Sequence, residues 1–208
     1  MGTTKSVADT EGQVVALVLA AGGSARLGQP KQLVAAGGES LLRRTARTVL
    51  AAPFQRVIVV VGCEAERIGA VVQDLPIALV INEEWQSGMA SSVRCGVAAA
   101  QEQGADAVLI LPCDLPRLSA AHLTALLQRH QGGSPPVATS WRDADGNPAF
   151  GAPALFERRY FPALLALQGD EGARKLLRLH RGELSTIEFQ DATHDVDTPD
   201  DLSGLAAL

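Results

Sequence analysis

Short apolar runs alternate with helix-forming segments along the first half of the chain. The apolar runs are bounded mostly by Gly, Pro, Asn or Asp and lie at 14–19, 57–61, 77–81 and 107–111. Runs that are apolar throughout are typical of strands buried on both faces, so we expect them to form a parallel sheet. Helical periodicity or strong helix formers occupy 41–51, 64–73 and 89–103. This alternation predicts a layered α/β domain.

The second half of the chain has a different pattern. It predicts a helix at 119–131 and a strand at 137–141, and then a polar, turn-rich segment at 143–153 that we interpret as a substrate loop. The remaining predicted elements are helices at 153–167, 171–180 and 200–205 and a strand at 186–189.

Composition narrows the possible functions. The formal net charge of −5 argues against a general nucleic-acid-binding surface, which needs clustered positive charge. No apolar stretch approaches the roughly 18 residues that span a bilayer, so no membrane contact is expected. Cys63, Cys95 and Cys113 lack zinc-site spacing and predict buried thiols in a reducing, cytoplasmic compartment. The length of 208 residues predicts one domain at 13–208 behind a flexible leader at 1–12.

The segment 19–33, LAAGGSARLGQPKQL, follows the first predicted strand directly. Gly22 and Gly23 permit positive φ angles and let backbone N–H groups approach anionic oxygens. Arg26 can fork across two phosphate oxygens, and Lys31 supplies a mobile point charge. The segment fits neither a Walker A loop nor the GxGxxG fingerprint, so a kinase, ATPase or dehydrogenase is not the first choice. An ordinary glycine-rich turn with two solvated cations is the structural alternative.

An apolar run ends abruptly at Asp114 in the segment 108–116, VLILPCDLP. A carboxylate at the carboxyl end of a central strand lies where open α/β sheets bind ligands, and it can hold Mg²⁺ against phosphate oxygens. The alternative is that Asp114 caps the helix that begins near Ser119 or closes a turn with Pro116. The residues by themselves leave both roles open.

The glycine-rich loop, the strand ending in CDLP and the late segment DVDTPDDL at 195–202 together resemble the MobA-like nucleotidyltransferases. Within that superfamily the chain is most similar to the molybdenum cofactor cytidylyltransferases. The motifs extend from Leu19 to Leu202, so the resemblance covers nearly the whole chain. It implies a Rossmann-like three-layer α/β domain with a mainly parallel mixed sheet, in which the N-terminal loop wraps a nucleoside triphosphate and Mg²⁺ is the cofactor.

The resemblance also implies roles for the charged residues. Arg26, Lys31 and Asp114 are the expected catalytic residues, and Asp114 and Asp197 are the expected metal ligands. A structural role is open for the late acidic segment as well, since Asp195 or Asp197 can simply cap the last predicted helix.

For the nucleotide, Ala21 in the segment LAAG resembles the CTP-using members, so CTP is favoured over GTP. Ser91 and Ser92 are expected to lie near the nucleotide; the alternative is that they only cap the helix that follows them. The full set of expected nucleotide contacts is Leu19, Ala20, Ala21, Gly22, Gly23, Ser24, Arg26, Lys31, Asn82, Gly88, Ser91 and Ser92.

Asn147, Pro148 and Arg174 resemble the acceptor side of the cytidylyltransferases. Arg174 can meet an acceptor phosphate, although its place in a predicted helix suits a surface ion pair equally well.

The reaction implied by the resemblance is in-line attack of an acceptor phosphate on the α-phosphorus of CTP, with release of pyrophosphate. Molybdopterin is the expected acceptor, and a molybdenum hydroxylase is a possible transient partner. One alternative is a cytidylyltransferase for a sugar or polyol phosphate such as methylerythritol phosphate, because the PKQ segment at 30–32 also occurs there. Another is a non-catalytic chaperone that binds the molybdenum cofactor.

Overall fold

The computed structural model describes residues 12–130, 134–193 and 195–207. All of the expected leader except Gly12 lies outside the described residues. The strands and α-helices, in chain order, are β1 (Val14–Ala20), β2 (Ala35–Ala36), β3 (Glu39–Ser40), α1 (Leu41–Leu50), β4 (Arg56–Val61), α2 (Ala65–Ala70), β5 (Ala78–Ile81), α3 (Met89–Glu102), β6 (Ala107–Pro112), α4 (Ala120–Arg129), β7 (Val137–Arg142), β8 (Pro148–Glu157), α5 (Phe161–Leu165), α6 (Arg174–Leu179) and β9 (Ser185–Glu188). Short 3-10 helices lie at Lys31–Leu33, Trp85–Ser87, Arg158–Tyr160, Gln190–Thr193 and Pro199–Ala207. None of the described helices has the length and apolar character needed to cross a bilayer.

Seven strands form one mixed sheet in the order β5-β4-β1-β6-β8-β7-β9. β1 is parallel to β4 and β6, β4 is parallel to β5, and β7 is parallel to β9. Only β8 runs against its neighbours, β6 and β7. The predicted fold class, a Rossmann-like α/β domain with a mainly parallel mixed sheet, is therefore confirmed.

Each face of the sheet carries its own hydrophobic core. Val18 of β1 and Leu109 of β6 pack with Leu42 of α1 on one face. Leu17 of β1 packs with Val93 of α3 on the other. All five side chains are fully buried, and burial of a side chain of this size contributes about 1.5–3 kcal/mol. Strands buried on both faces explain why the apolar runs are continuous.

The region 143–167 differs from the prediction. The sequence predicts a loop at 143–153 and a helix at 153–167, but strand β8 occupies 148–157, so the turn is confined to 143–147 and the helical residues to 158–165. Gly151 and Pro153, which signal turns, lie where the β7–β8 register shifts. Proline lacks the N–H group that a regular strand ladder needs, so it is tolerated at such an irregularity. The turn residues here interrupt a strand instead of ending it.

The strand directions bring several segments to one edge of the sheet. The loop after β1, Cys63 after β4 and Asp114 after β6 follow the carboxyl ends of parallel strands. Because β8 is antiparallel, its first residue, Pro148, lies at the same edge. Open α/β sheets bind their ligands at this edge.

Candidate functional site

The loop after β1 presents unpaired backbone amides. Among the described residues, the N–H groups of residues 22–26 donate no hydrogen bond. The loop turns at Ser24, which has a φ of 51°, and the N–H groups of Leu27 and Gly28 donate to the Ser24 carbonyl at 3.0 and 3.2 Å. A Cβ at Gly22 would meet no atom within 4 Å, so this part of the loop borders open space. Successive free N–H groups at such a turn form a concavity suited to anions.

The base of the loop is tied to the sheet. Leu19 and Ala20 end β1, and Ala21 is buried directly after it. The Ala21 carbonyl accepts a hydrogen bond from the Cys63 N–H at 3.0 Å. At the far end, the backbone N–H of Lys31 donates to the Ser24 hydroxyl oxygen at 3.0 Å.

Lys31 joins two carboxylates from distant parts of the chain. Its ammonium donates to Asp114 Oδ2 and, at 3.2 Å, to Asp197 Oδ1. Arg26 Nη2 contacts the other oxygen of Asp197 at 2.9 Å. The two acidic residues are 83 and 166 positions away from Lys31 in sequence, so the structure brings all three motifs together.

Asp114 has the properties of a metal ligand. It is only 5% exposed, and its Oδ1 has no hydrogen-bond partner among the described residues. Leaving a buried acceptor unpaired costs about 1–3 kcal/mol, and a hard cation satisfies a carboxylate oxygen well. In the part of the chain that the structure describes, no group of three or more His, Cys, Asp and Glu side chains is placed to hold a metal. One or two carboxylates plus substrate phosphates suffice for Mg²⁺, so Asp114 with Asp197 fits that ion.

The backbone around Asp114 is held by α1. The Thr45 hydroxyl donates to the Cys113 carbonyl at 3.1 Å, and Arg44 Nε donates to the Pro116 carbonyl at 2.8 Å. These bonds hold the carboxylate in place independently of its own contacts.

The capping alternatives for the two acidic residues are not what the structure shows. Ser119 is the N-cap of α4, since its hydroxyl accepts a backbone N–H of that helix at 3.2 Å. In the late segment Asp201, which lies within the 3-10 helix Pro199–Ala207, accepts the Thr198 N–H with its Oδ2 at 2.7 Å. Asp114 and Asp197 direct their carboxylates to Lys31 instead.

The electrostatics of the site keep Lys31 charged. Burial lowers its pKa, but the attraction of Asp114 and Asp197 outweighs that effect and holds the pKa above its ordinary value. Burial, together with the charge of Asp114, raises the pKa of the Cys113 thiol to about 12, so this thiol stays protonated. Partial burial and the charges of Asp114 and Asp197 also raise the pKa of Asp195.

Three predicted nucleotide contacts form a buried polar cluster. Asn82 Nδ2 donates to the hydroxyls of Ser91 and Ser92 at 2.8 and 3.0 Å, and Asn82 Oδ1 accepts the Glu84 N–H at 3.0 Å. The Ser91 hydroxyl donates in turn to the Gly88 carbonyl at 2.8 Å. The N-cap of α3 is Gly88, so neither serine caps the helix. Direct contact of these side chains with a nucleotide stays a prediction.

Gly88 has a packing role as well. Its φ is 106°, and a Cβ there would lie 2.3 Å from the Gly169 carbonyl oxygen. That carbonyl accepts the Ala90 N–H at 3.0 Å. The segment 169–174, GDEGAR, therefore packs against the start of α3, beside the Asn82 cluster.

Two residues beside the loop were not predicted from the sequence. Trp85 packs so closely that a Cβ at Gly23 would lie 3.3 Å from its ring. Gln32 is buried beneath the loop and bonds its backbone. The available signals were an aromatic residue in the segment NEEWQSG and an amide beside the predicted catalytic lysine.

The predicted acceptor residues lie farther along the same edge. Asn147 closes a turn, with its N–H donating to Asp143 Oδ1 at 2.8 Å, and Pro148 begins β8. The Arg174 guanidinium lies 5.9 Å from the centre of the Trp141 ring, a cation–π contact in place of the surface ion pair considered above.

A cleft of about 310 Å³ opens between β7, β8 and β9. Its lining includes Pro148, the rings of Trp141 and Phe150, and the cations Arg142 and Arg181. The structure thus groups Pro148, Trp141 and, through Trp141, Arg174. Asn147 lies in the adjoining turn and does not line the cleft.

A mixed sheet with an amide-rich loop and a partly buried lysine–aspartate pair at its carboxyl edge defines the class of Rossmann-like nucleotidyltransferase domains. The chain belongs to the MobA-like NTP transferase domain family, which it matches over residues 16–186. The resemblance inferred from the three motifs is confirmed.

Two relatives match over nearly their whole length. The chain is 33% identical over 198 residues to the purine catabolism protein PucB of Bacillus subtilis, covering 90% of this chain and 93% of that protein. It is 32% identical over 197 residues to the nicotine blue oxidoreductase of Paenarthrobacter nicotinovorans, covering 92% and 96%.

Solved structures share the fold. Rv0371c from Mycobacterium tuberculosis H37Rv is 28% identical and has a TM-score of 0.82. The match covers 96% of this chain and 100% of Rv0371c. A manganese complex of Rv0371c has a TM-score of 0.76 at 26% identity, covering 94% and 98%. The CTP complex of CMP:2-keto-3-deoxy-manno-octonic acid synthetase, with a TM-score of 0.75 over 94% and 97% of the two chains, is 17% identical and shows the fold alone.

Proposed function

We propose that this protein is a Mg²⁺-dependent cytidylyltransferase that transfers CMP from CTP to a phosphorylated acceptor and releases pyrophosphate. The observation that carries the proposal is the meeting of Lys31, Asp114 and Asp197 beside the unpaired amides of residues 22–26. These groups match the charge distribution of a triphosphate with its metal ion.

Each group has a defined task in this proposal. The amides of the loop and the cations Arg26 and Lys31 bind the triphosphate and stabilise the negative charge that develops on the leaving pyrophosphate. Asp114 and Asp197 would hold Mg²⁺, which when bound would further neutralise the charge of the phosphate oxygens. An acceptor phosphate monoester is already anionic near neutral pH, so alignment takes the place of a general base.

The choice of CTP rests on the nucleotide side of the site. Ala21 carries the motif of the CTP-using relatives, and it is buried at the base of the loop. A protein of the same fold is known as a CTP complex. The Asn82 cluster with Ser92 and Gly88 is the proposed nucleoside-facing border of the site.

The acceptor is proposed to be molybdopterin. The cleft beside Pro148 combines the rings of Trp141 and Phe150 with two cations, Arg142 and Arg181, and one carboxylate, Glu188. Aromatic rings favour a flat heteroaromatic group such as a pterin, and guanidinium groups favour its phosphate. A polyol phosphate lacks the flat group. In this proposal Asn147 and Arg174 border the acceptor, the enzyme works in the cytoplasm, and a molybdenum hydroxylase receives the product.

Two alternative functions can be distinguished from the proposed one by what they bind and consume. Methylerythritol phosphate cytidylyltransferase activity would use the same nucleotide side with a different acceptor. A cofactor chaperone would bind pterin without consuming CTP. One relative is named nicotine blue oxidoreductase, so membership of this family does not by itself determine the reaction. The partly buried pair of Lys31 and Asp114 favours nucleotide transfer here.

The test is pyrophosphate release from CTP, GTP and ATP in parallel, with Mg²⁺ and either molybdopterin or methylerythritol phosphate. We expect release only with CTP and molybdopterin, stoichiometric with acceptor consumed, and none without acceptor. Release with methylerythritol phosphate alone would move the assignment to the polyol enzyme. Pterin binding without release from any nucleotide would favour the chaperone.

A further inference from the structure

Gln32 is the buried polar side chain closest in sequence to the proposed catalytic lysine. It lies in the 3-10 helix Lys31–Leu33 and is 1% exposed. Its Nε2 donates to the carbonyls of Ala20 at 2.7 Å and Gly22 at 2.8 Å. Both partners are acceptors, so the amide nitrogen must face them. One side chain therefore links the end of β1 to the start of the loop.

These two bonds have a directional consequence for the loop. In a planar trans peptide, the carbonyl and the following N–H point in opposite directions. Holding the Gly22 carbonyl towards the buried Gln32 therefore turns the Gly23 N–H away from the interior. Gly23 is exposed, and its amide is one of those without a protein acceptor among the described residues. The same amide arrangement would be lost if the Gly22 peptide could flip.

The single oxygen of this side chain makes the arrangement less favourable for stability alone. Gln32 Oε1 is buried and has no hydrogen-bond partner among the residues that the structure describes. An unpaired buried acceptor costs stability; an apolar side chain of the same length would remove that oxygen, but it would also leave the Ala20 and Gly22 carbonyls without their donor. Methionine has such a shape.

We infer that Gln32 is a positioning residue that holds the amides of residues 22–26 in the orientation that binds the triphosphate. Gln32 itself touches no substrate, because it lies beneath the loop. This inference rests on the proposed nucleotide-binding function. Gln32 would act through the backbone of the loop, whereas the charged residues of the proposed site act on the triphosphate directly.

The experiment compares wild type with Gln32→Met, Gln32→Glu and a control, Gln103→Met. Gln103 is the C-cap of α3, and its side chain bonds only Arg56, at 3.4 Å, in the described structure. Titration calorimetry measures the dissociation constant of Mg²⁺–CTP for each protein, and thermal unfolding measures stability. Steady-state kinetics adds the KM for CTP and kcat.

We expect Gln32→Met to fold but to unfold at a lower temperature than wild type, because the Ala20 and Gly22 carbonyls lose their donor, while its dissociation constant and KM for CTP rise about 10- to 100-fold. The value of kcat should change much less. Gln32→Glu keeps the length but places an acceptor against two carbonyls, so it should bind at least as weakly as Gln32→Met. Gln103→Met should match wild type.

Several results would overturn the inference. Wild-type affinity in a folded Gln32→Met would remove the positioning role while leaving the proposed function intact. Failure of both Gln32 variants to fold would make Gln32 a structural residue. If wild type binds none of CTP, GTP and ATP, the proposed function and this inference fail together.

Discussion

The two ends of the ligand-binding edge are built in different ways. On the nucleotide side, Lys31, Asp114 and Asp197 form a partly buried charge network beside a loop whose backbone is held at both ends. On the acceptor side, the contact between Arg174 and Trp141 is long, 5.9 Å, and it borders an open cleft. The first side is organised by charge–charge contacts at a partly buried site, whereas the second consists of weaker contacts around an open cleft.

This difference suggests a division of labour. Charges in a partly buried site interact more strongly than charges in water, so preorganised groups of the first kind suit catalysis. An exposed cation–π contact contributes only about 0.5–1 kcal/mol, so residues of the second kind can change without loss of the fold. We expect substitutions on the nucleotide side to affect turnover and those on the acceptor side to affect acceptor affinity.

The largest effect is expected from Asp114→Ala. Loss of the proposed metal ligand should reduce kcat by at least about 1,000-fold. The fold should persist, because Thr45 and Arg44 hold the backbone on either side. Pyrophosphate release and circular dichroism measure the two quantities. Asp74→Ala, which removes an exposed partner of Arg43, is the matched control and should retain full activity.

Lys31→Met should have the next largest effect. It keeps the aliphatic stem but removes the charge that joins Asp114 and Asp197, and kcat/KM for CTP should fall roughly 100-fold. Arg26 and the loop amides remain, so the loss should be smaller than for Asp114→Ala. Arg47→Met, which breaks an exposed pair with Glu39, serves as the control. Unchanged kinetics in folded Lys31→Met would contradict the triphosphate role.

Lowering the pH should reduce the free energy of unfolding through protonation of His122, which lies in the acceptor half of the domain. The ring is stacked on Phe189 at 4.5 Å and bonds Thr139 at 2.8 Å, and burial lowers its pKa from 6.5 to about 4. In the unfolded chain the His122 imidazole takes up a proton near pH 6.5, whereas in the folded protein it stays neutral down to a lower pH. The contribution to stability is complete above pH 6.5 and is lost as the pH falls through about 4.

Urea unfolding of wild type and His122→Phe at about pH 7.5 and about pH 4.5 measures this effect. Between the two conditions, wild type should lose on the order of 2 kcal/mol more than the variant, after allowance for partial solvent screening. Phenylalanine keeps the stacking on Phe189 and cannot take up a proton. Equal losses for the two proteins would show that His122 does not control the acid sensitivity.

The smallest effect is expected from Arg174→Gln. The KM for the acceptor should rise about 5- to 10-fold while the KM for CTP stays unchanged. Arg178→Gln lies on the same exposed side of α6 and tests whether any loss of charge on this helix has the same result. If the KM for CTP rose instead, the expected separation between nucleotide-side and acceptor-side residues would be contradicted.

The parallel half of the fold could be predicted from the sequence. The apolar runs 14–19, 57–61 and 107–111 match β1, β4 and β6 to within one residue at each end, because strands buried on both faces leave a continuous apolar signal. The structure also brings Lys31 and Asp114 together, whereas their expected contacts with phosphate and metal stay predictions.

The rest depended on contacts that a linear pattern does not contain. Gly151 and Pro153 are turn signals locally, and only pairing with β6 and β7 makes their segment a strand. Gln32 bonds carbonyl groups 10 and 12 positions away, and no residue type predicts such a bond. The burial of Asn82 likewise follows from the packing of α3.

The most direct test of the account follows the α-phosphorus itself. CTP radiolabelled at that atom is incubated with Mg²⁺, molybdopterin and either wild type or Asp114→Ala, and the products are separated. The account predicts that wild type transfers the label to the pterin while the pyrophosphate stays unlabelled, and that Asp114→Ala leaves the label in CTP. Label found only in free CMP, or transferred equally by both proteins, would contradict it.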